Sequence, residues 1–346
     1  MMDKKKKEIL EFVKENPSCS SKEIHEGLSS AISYATVKRV LTKLISGSLL
    51  VTIGKGRGTK YVISPAYDLF YPIDVSQYFE QEIDERDIKA NFNFSLIPNV
   101  LSKVNLFTED ELSYMSNLQS KFTKNVSELS ESEYSKELER LSIDLSWKSS
   151  QIEGNTYSLL ETERLLKEKE TAEGKSKDEA VMLINHKQAI DFILENPNYI
   201  SPLTTSCIED IHSILINDLG VDRNIRKRRV GISGTNYKPL DNEYQIKEAL
   251  KDMCDLINSR DKVFEKALLS LVLLSYIQAF RDGNKRTARI ISNAILISNQ
   301  YCPISFRTID SVEYKKAMLI FYEQNNLTTF KEIFMNQFKF AVETYF

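Results

Sequence analysis

The chain has 346 residues, 42% of them hydrophobic and 27% charged, with 11 glycines and 8 prolines. These values exclude a disordered chain and a single small domain, and they favour helices over a many-stranded sheet. The net charge of −3 is unevenly spread: residues 1–65 carry 12 Lys/Arg against 6 Asp/Glu, and the remainder 34 against 43, so a basic head precedes an acidic body and only the head suits nucleic acid.

The first predicted helix covers residues 4–15, with Ile9, Leu10, Phe12 and Val13 on one face, and Asn16-Pro17 ends it. Glu11, Lys14 and Glu15 break any signal-peptide core in this segment. Ser20 or Ser21 caps a second helix, Lys22–Leu28. Ser33 caps a third, whose apolar face is Ala35, Val37, Val40, Leu41, Leu44 and Ile45. Strand-like runs Leu49–Ile53 and Tyr61–Ile63 follow, joined by the basic turn Gly54-Lys55-Gly56-Arg57-Gly58. Three helices and a basic hairpin make a winged helix-turn-helix over residues 1–66. In that arrangement the third helix would bind DNA through Lys38, Arg39 and Lys43, and Lys55, Arg57 and Lys60 would neutralise phosphates. A protein-contact role for the same basic face is the alternative.

Residues 67–104 form an aromatic-rich wrapping segment. The pattern then becomes almost wholly helical, with helices over 105–200 and a core over 201–346. Arg229–Leu240 reads as a β-hairpin. The longest apolar run, Leu268–Ile277, is about half a membrane span and is expected to be a buried helix, so no membrane partner is expected. Cys19, Cys207, Cys254 and Cys302 form no CxxC pair, which disfavours a zinc or disulfide framework and points to a reducing cytoplasm.

The chemistry concentrates in Gln278–Arg289, between that apolar helix and another over about 285–298. Asp282-Gly283-Asn284 is a tight turn at a helix N-terminus, where successive amides and the helix dipole favour an anion. Arg286 and Arg289, three apart on one face, can reach one polyphosphate, and Asp282 can ligate Mg²⁺. Phe280 anchors the loop. Seen alone, such a turn is more often a solvated helix start.

The segment resembles the signature of the Fic family, HxFx(D/E)GN(G/K)RxxR, at Phe280, Asp282, Gly283, Asn284, Lys285, Arg286 and Arg289. The resemblance implies a mainly α protein: the winged helix followed by an all-helical Fic fold with a small β-hairpin flap, for which Gly231–Tyr237 is the candidate dock for a target protein. It also implies ATP and Mg²⁺ as ligands, and AMP transfer to a Ser, Thr or Tyr hydroxyl. Ser149-Ser150-Gln151-Ile152-Glu153-Gly154 is similar to the family's inhibitory helix, around residues 145–155. By that resemblance Glu153 pairs with Arg289 and competes with phosphate for one guanidinium. A plain helix end capped at Gly154 is compatible with the same residues.

The sequence departs from the signature at its first position, where Gln278 stands in place of the catalytic histidine. A glutamine amide hydrogen-bonds a hydroxyl but cannot take its proton, and loss of a positioned base costs on the order of 10²–10⁴ in rate. Of the three histidines, His25 belongs to the head, while His186 and His212 fall in helical patterns and are expected to be structural. Three readings follow. The expected one is a nucleotide-binding regulator that couples occupancy to DNA binding, with impaired transfer. The others are an autoinhibited adenylyltransferase with another base and an inert interaction protein. A homodimer is compatible with each.

Overall fold

The computed structural model describes residues 3–346. In the head, α1 (Lys4–Glu15), α2 (Ser21–Gly27) and α3 (Tyr34–Ser46) precede the antiparallel pair β1 (Leu50–Ile53) and β2 (Lys60–Ile63). Ser20 caps α2 in a reciprocal capping box with Glu23, and Ser33 accepts from the Thr36 amide at the start of α3. Ile9, Leu10, Val13, Ile24, Val37, Leu41 and Leu50 form the head's core. Ala35 and Ile45, expected on the buried face of α3, are exposed. The helical period explains this: Val37, Val40, Leu41 and Leu44 make one stripe, Ala35 falls opposite it, and Ile45 lies on its flank.

After the head come α4 (Tyr67–Phe70) and α5 (Val75–Tyr78), then α6 (Glu109–Glu128), α7 (Glu131–Ile152), α8 (Leu159–Glu168) and α9 (Lys177–Glu195). Thr108, Ser130, Ser158 and Ser176 each close a capping box with a Glu three residues on, which fixes where α6 to α9 begin. The chain continues through α10 (Thr205–Leu215), α11 (Glu243–Ser259), α12 (Val263–Ile277), α13 (Asn284–Ser298), α14 (Ser311–Gln324) and α15 (Thr328–Thr344). Helix α12 is apolar all round and buried from Ala267 to Ile277, as a helix wrapped by others must be. Its Ser270 and Ser275 hydroxyls donate to the Ala267 and Leu271 carbonyls, so neither polar group is stranded. Helices α12 and α13 form the most extensive packed pair. No helix among the described residues is long and apolar enough to cross a membrane.

The wrapping segment that follows the head is held to the body. Lys89 Nζ pairs with Asp68 at 3.0 Å, and Asn326 Nδ2 donates to the Asp68 and Tyr71 carbonyls at 2.6 Å each. The Arg86 guanidinium donates to both Glu323 oxygens at 3.1 Å and to the Gly234 carbonyl at 2.9 Å. Side chains of Arg86 and Glu323 are 3% and 1% exposed.

The β-hairpin expected over Arg229–Leu240 does not form. The segment contains no strand, and its one bridge pairs Lys238 with Asn91 in parallel. Pro239 lacks a donor, Gly234 is left-handed at φ +87°, and the Lys238 amide donates to Ala90 instead of across a hairpin. The segment is therefore an irregular strap laid against residues 84–91.

Candidate functional site

Helix α12 ends at Gln278, which is left-handed at φ +53° and whose amide closes back onto Leu274. The loop that follows is held by Asn284. Its side chain accepts from the Phe280 amide at 2.8 Å and donates to the Phe280 carbonyl at 2.8 Å. Phe280 is buried and stacks on the His212 ring with centroids 3.6 Å apart, while His212 Nε2 lies 3.0 Å from the Asp282 carbonyl. His212 thus supports the loop from below and does not line the cleft above it.

Gly283 precedes α13 at φ +80°, a conformation that favours glycine. An added Cβ would sit 3.2 Å from Ile216 Cγ2 and 3.3 Å from His212 Cδ2. In contrast to α6 through α9, no side chain caps α13. Its first-turn amides, which have no carbonyl partners within the helix, are left at the floor of a cleft with the positive end of the helix dipole.

That cleft is about 400 Å³ in volume. Its floor is the turn at Asp282–Arg286, and its walls are Glu153 from the end of α7, residues 231–233 of the strap, and Lys315, Met318 and Tyr322 from α14. The 3.6-residue repeat brings these three α14 side chains to one face, although nothing in their sequence marks them as site residues. Arg226 is a further residue that sequence reasoning missed. It is buried, and its Nε donates to the Gln278 carbonyl at 2.5 Å while its amide donates to Ala279 at 3.0 Å.

Each predicted site residue has a definite place. Gln278 is 8% exposed; its Nε2 donates to the Ser275 carbonyl at 2.7 Å and its Oε1 accepts from Asn284 Nδ2 at 3.1 Å. Arg289 is fully buried: Nε donates to Ser149 Oγ at 2.8 Å, and Nη2 donates to the Ser149 carbonyl at 3.0 Å and to Glu153 Oε1 at 2.8 Å. The second Glu153 oxygen faces Lys285 Nζ at 3.4 Å. Burial alone would raise the Glu153 carboxyl, but the charges of Arg289 and Lys285 and the Arg289 hydrogen bond outweigh it and hold the group below the usual carboxylate range. Gly154, at φ +104°, turns the chain away after α7. Arg286 is buried and pairs with Asp282 at 3.0 Å, so it braces the loop from within, whereas the Asp282 carboxylate is 63% exposed at the cleft rim.

In the head, Lys38, Arg39, Lys43, Lys55 and Arg57 are exposed. Lys60 is not free, because its Nζ pairs with Glu23 at 2.9 Å.

Residues 202–296 match the family model described as Fic/DOC family, and residues 4–85 match that of the penicillinase repressor. The chain is 27% identical over 175 residues to protein adenylyltransferase fic-1 of Caenorhabditis elegans and 30% identical over 173 residues to protein adenylyltransferase Fic of Nematostella vectensis. Each match takes in 48% of this chain but only 34% and 40% of the relative's length. Among solved structures, a Fic-domain-containing signaling protein from Bacteroides thetaiotaomicron superposes with a TM-score of 0.57 at 20% identity, covering 67% of this chain and 94% of that one. A Fic-1 fragment from C. elegans gives 0.57 at 20%, covering 68% and 70%. The chain therefore carries a Fic-type helical fold behind a head that resembles a winged-helix repressor domain, and about half of it is related in sequence to protein adenylyltransferases.

Proposed function

We propose that the cleft is an ATP site of the protein-adenylyltransferase type, held in check by Glu153. The observation that carries this reading is the 2.8 Å contact between Glu153 and Arg289 at a cleft floored by an uncapped helix N-terminus. Phosphates seated on the first turn of α13 would be met by its amides, by Lys285 and by Arg289 once Glu153 withdraws. The exposed Asp282 carboxylate fits Mg²⁺, which binds through one carboxylate with water and substrate phosphates completing its shell. When bound, the cation neutralises phosphate charge.

In this reading the target hydroxyl oxygen bonds to the α-phosphorus, the bond to the bridging oxygen breaks, and pyrophosphate leaves. Gln278 is hydrogen-bonded on both ends of its amide and cannot take the hydroxyl proton. The proton passes to water or to a phosphate oxygen, and transfer is slower by on the order of 10²–10⁴ than with a positioned base. The test is transfer of α-labelled ATP with Mg²⁺, onto the protein itself and onto lysate, by wild type, Glu153→Gly and Glu153→Gly/Gln278→His. Labelling by Glu153→Gly supports the reading. Labelling by the double variant alone reduces the cleft to a nucleotide site without transfer, and no labelling by either rejects it.

A second reading, favoured by Gln278 and by the repressor-like head, is a regulator in which nucleotide occupancy changes DNA affinity. The hydrogen bonds from Asn326 to the Asp68 and Tyr71 carbonyls join the segment directly after the head to the turn that follows α14, the helix that lines the cleft. This reading expects at least a roughly fivefold change in DNA affinity on saturation with ATP. It also expects Lys55→Glu and Arg57→Glu each to flatten the salt dependence of DNA binding by about one unit of slope. A DNA affinity indifferent to ATP removes it.

A further inference from the structure

The cleft mouth has a rim of basic side chains that the loop itself does not use. Five of the ten residues in 221–230 are Arg or Lys against a single acid, Asp222, in a body that is otherwise acidic. Hydrogen bonds fix this stretch beside the loop: Arg226 reaches the Gln278 carbonyl at 2.5 Å and the Arg228 carbonyl at 3.0 Å. Some of the charge is spent locally. Arg229 pairs with Asp241 at 2.8 Å, and Lys227 lies 3.8 Å from Glu243. Asp222, whose field reaches Arg281 and Lys227, already accepts from the Asn224 amide at 3.0 Å. Arg228, Arg281 and Lys315 are exposed, and among the described residues none has an ion-pair or side-chain hydrogen-bond partner. Arg281 and Lys315 line the cleft, and Arg228 stands three residues before its wall at Gly231.

We infer that this rim selects an acidic segment of a target protein, with carboxylates flanking the hydroxyl offered to the cleft. The inference rests on the reading of the cleft as a transfer site and adds the class of target. The backbone of residues 231–233 runs along the cleft in no strand, so its amide and carbonyl groups are open to an extended chain. Nucleic acid fits less well. It needs stacking platforms along a continuous cationic track, whereas Tyr237, Tyr276 and Tyr322 are buried against one another and Asp241 and Glu243 interrupt the track. The nucleotide's own phosphates are met lower down, at the first turn of α13. Rim charges of this kind act mainly on encounter rate and on discrimination between partners.

The experiment measures binding of three fluorescent peptides to the full chain, in the Glu153→Gly background with Mg²⁺ and a non-hydrolysable ATP analogue. The peptides carry a central Ser flanked by Glu, by Lys or by uncharged residues. The acidic peptide binds roughly tenfold tighter than the uncharged one, and the advantage shrinks as salt is raised. Arg228→Glu, which lies outside the cleft lining, cuts the advantage at least roughly twofold while affinity for the analogue, read by calorimetry, stays within about twofold. Equal binding of the three peptides overturns the inference. So does a parallel loss of analogue affinity, which assigns the rim to the nucleotide, or a single-stranded oligonucleotide of equal charge that binds tighter than the acidic peptide. Retained analogue affinity without peptide preference rejects the inference alone, whereas no analogue affinity rejects the reading of the cleft as well.

Discussion

Arg289 and Glu153, 136 residues apart, meet at 2.8 Å across the seam between α13 and α7, with the guanidinium fully buried and the carboxylate 20% exposed at the cleft. The arginine is thus anchored from behind by Ser149 and held in front by a single acid. Replacing Glu153 with Gly leaves a buried cation with its Ser149 hydrogen bonds and the face of the Tyr314 ring, 5.2 Å away. Because breaking such a pair costs about 3–5 kcal/mol when nothing remains, and Ser149 does remain, a loss of about 1–3 kcal/mol is expected. Saturating ATP should restore most of it, since occupancy at 100 Kd is worth about 2.7 kcal/mol. Thermal melts of both proteins with and without ATP check this. An ATP shift no larger in the variant than in wild type contradicts the competition.

Acid should destabilise the protein in two steps. Burial lowers the His212 imidazole from 6.5 to about 4, against the pull of its hydrogen bond to the Asp282 carbonyl. Burial also lowers His186 well below its ordinary value, with Arg289 and Arg286 adding to the effect. A depressed histidine is protonated first in the unfolded chain, so stability is full above 6.5 and falls as pH drops toward the folded value. For His212 the loss by about pH 4 is on the order of 3 kcal/mol. Glu153 adds a later loss: its contribution is full above 4.5 and disappears as pH falls through its lowered folded value. Urea midpoints across this range, for wild type and His212→Phe, separate the steps. An equally steep upper limb in His212→Phe would falsify the assignment.

Gly283→Ala places a Cβ on a residue at φ +80° and within 3.2 Å of Ile216. The left-handed backbone alone costs about 1–2 kcal/mol. Both the melting temperature and the affinity for ATP should fall, because the turn that presents the α13 amides must shift. An unchanged melting temperature would show that the turn does not need its left-handed residue.

Arg86→Ala removes one member of an almost wholly buried pair and strands Glu323, which then keeps only the Tyr78 hydroxyl at 2.6 Å. A loss of about 3–5 kcal/mol is expected, together with faster proteolysis in 231–238, because the Gly234 carbonyl also loses its donor. Arg86→Lys cannot serve both carboxylate oxygens and the carbonyl, and should recover only part of the loss. Stability within about 0.5 kcal/mol of wild type for Arg86→Ala would reject the bracing role.

Local signals in the sequence located the helices on either side of the loop, the tight turn at Asp282-Gly283-Asn284 between them, and the three helices and hairpin of the head. Such features are set by capping residues, apolar period and turn chemistry within a few positions of each other. The register of α3 was read slightly too broadly, because Ala35 and Ile45 are apolar without lying on the packed stripe. The strap at 229–240 has the alternation of a hairpin, but its partners lie some 150 residues upstream, at Asp84 and Arg86. Arg226, His212 and Lys315 looked like ordinary polar residues, because their positions at the loop depend on how four separate helices and the strap converge. No local pattern encodes that convergence.

The staple between α4, just after the head, and the turn that follows α14 has a consequence during synthesis. Asp68 and its partner Asn326 are 258 residues apart. At translation rates of about 5–20 residues per second, the first waits on the order of 10–50 s for the second to be made. The head buries its own core from residues before position 70 and can fold on emergence, yet the segment directly after it is docked only when nearly all of the body has left the ribosome. Until then a folded basic module is tethered to an unfinished acidic one, and the segment behind it finds its place on one of the last turns to arrive.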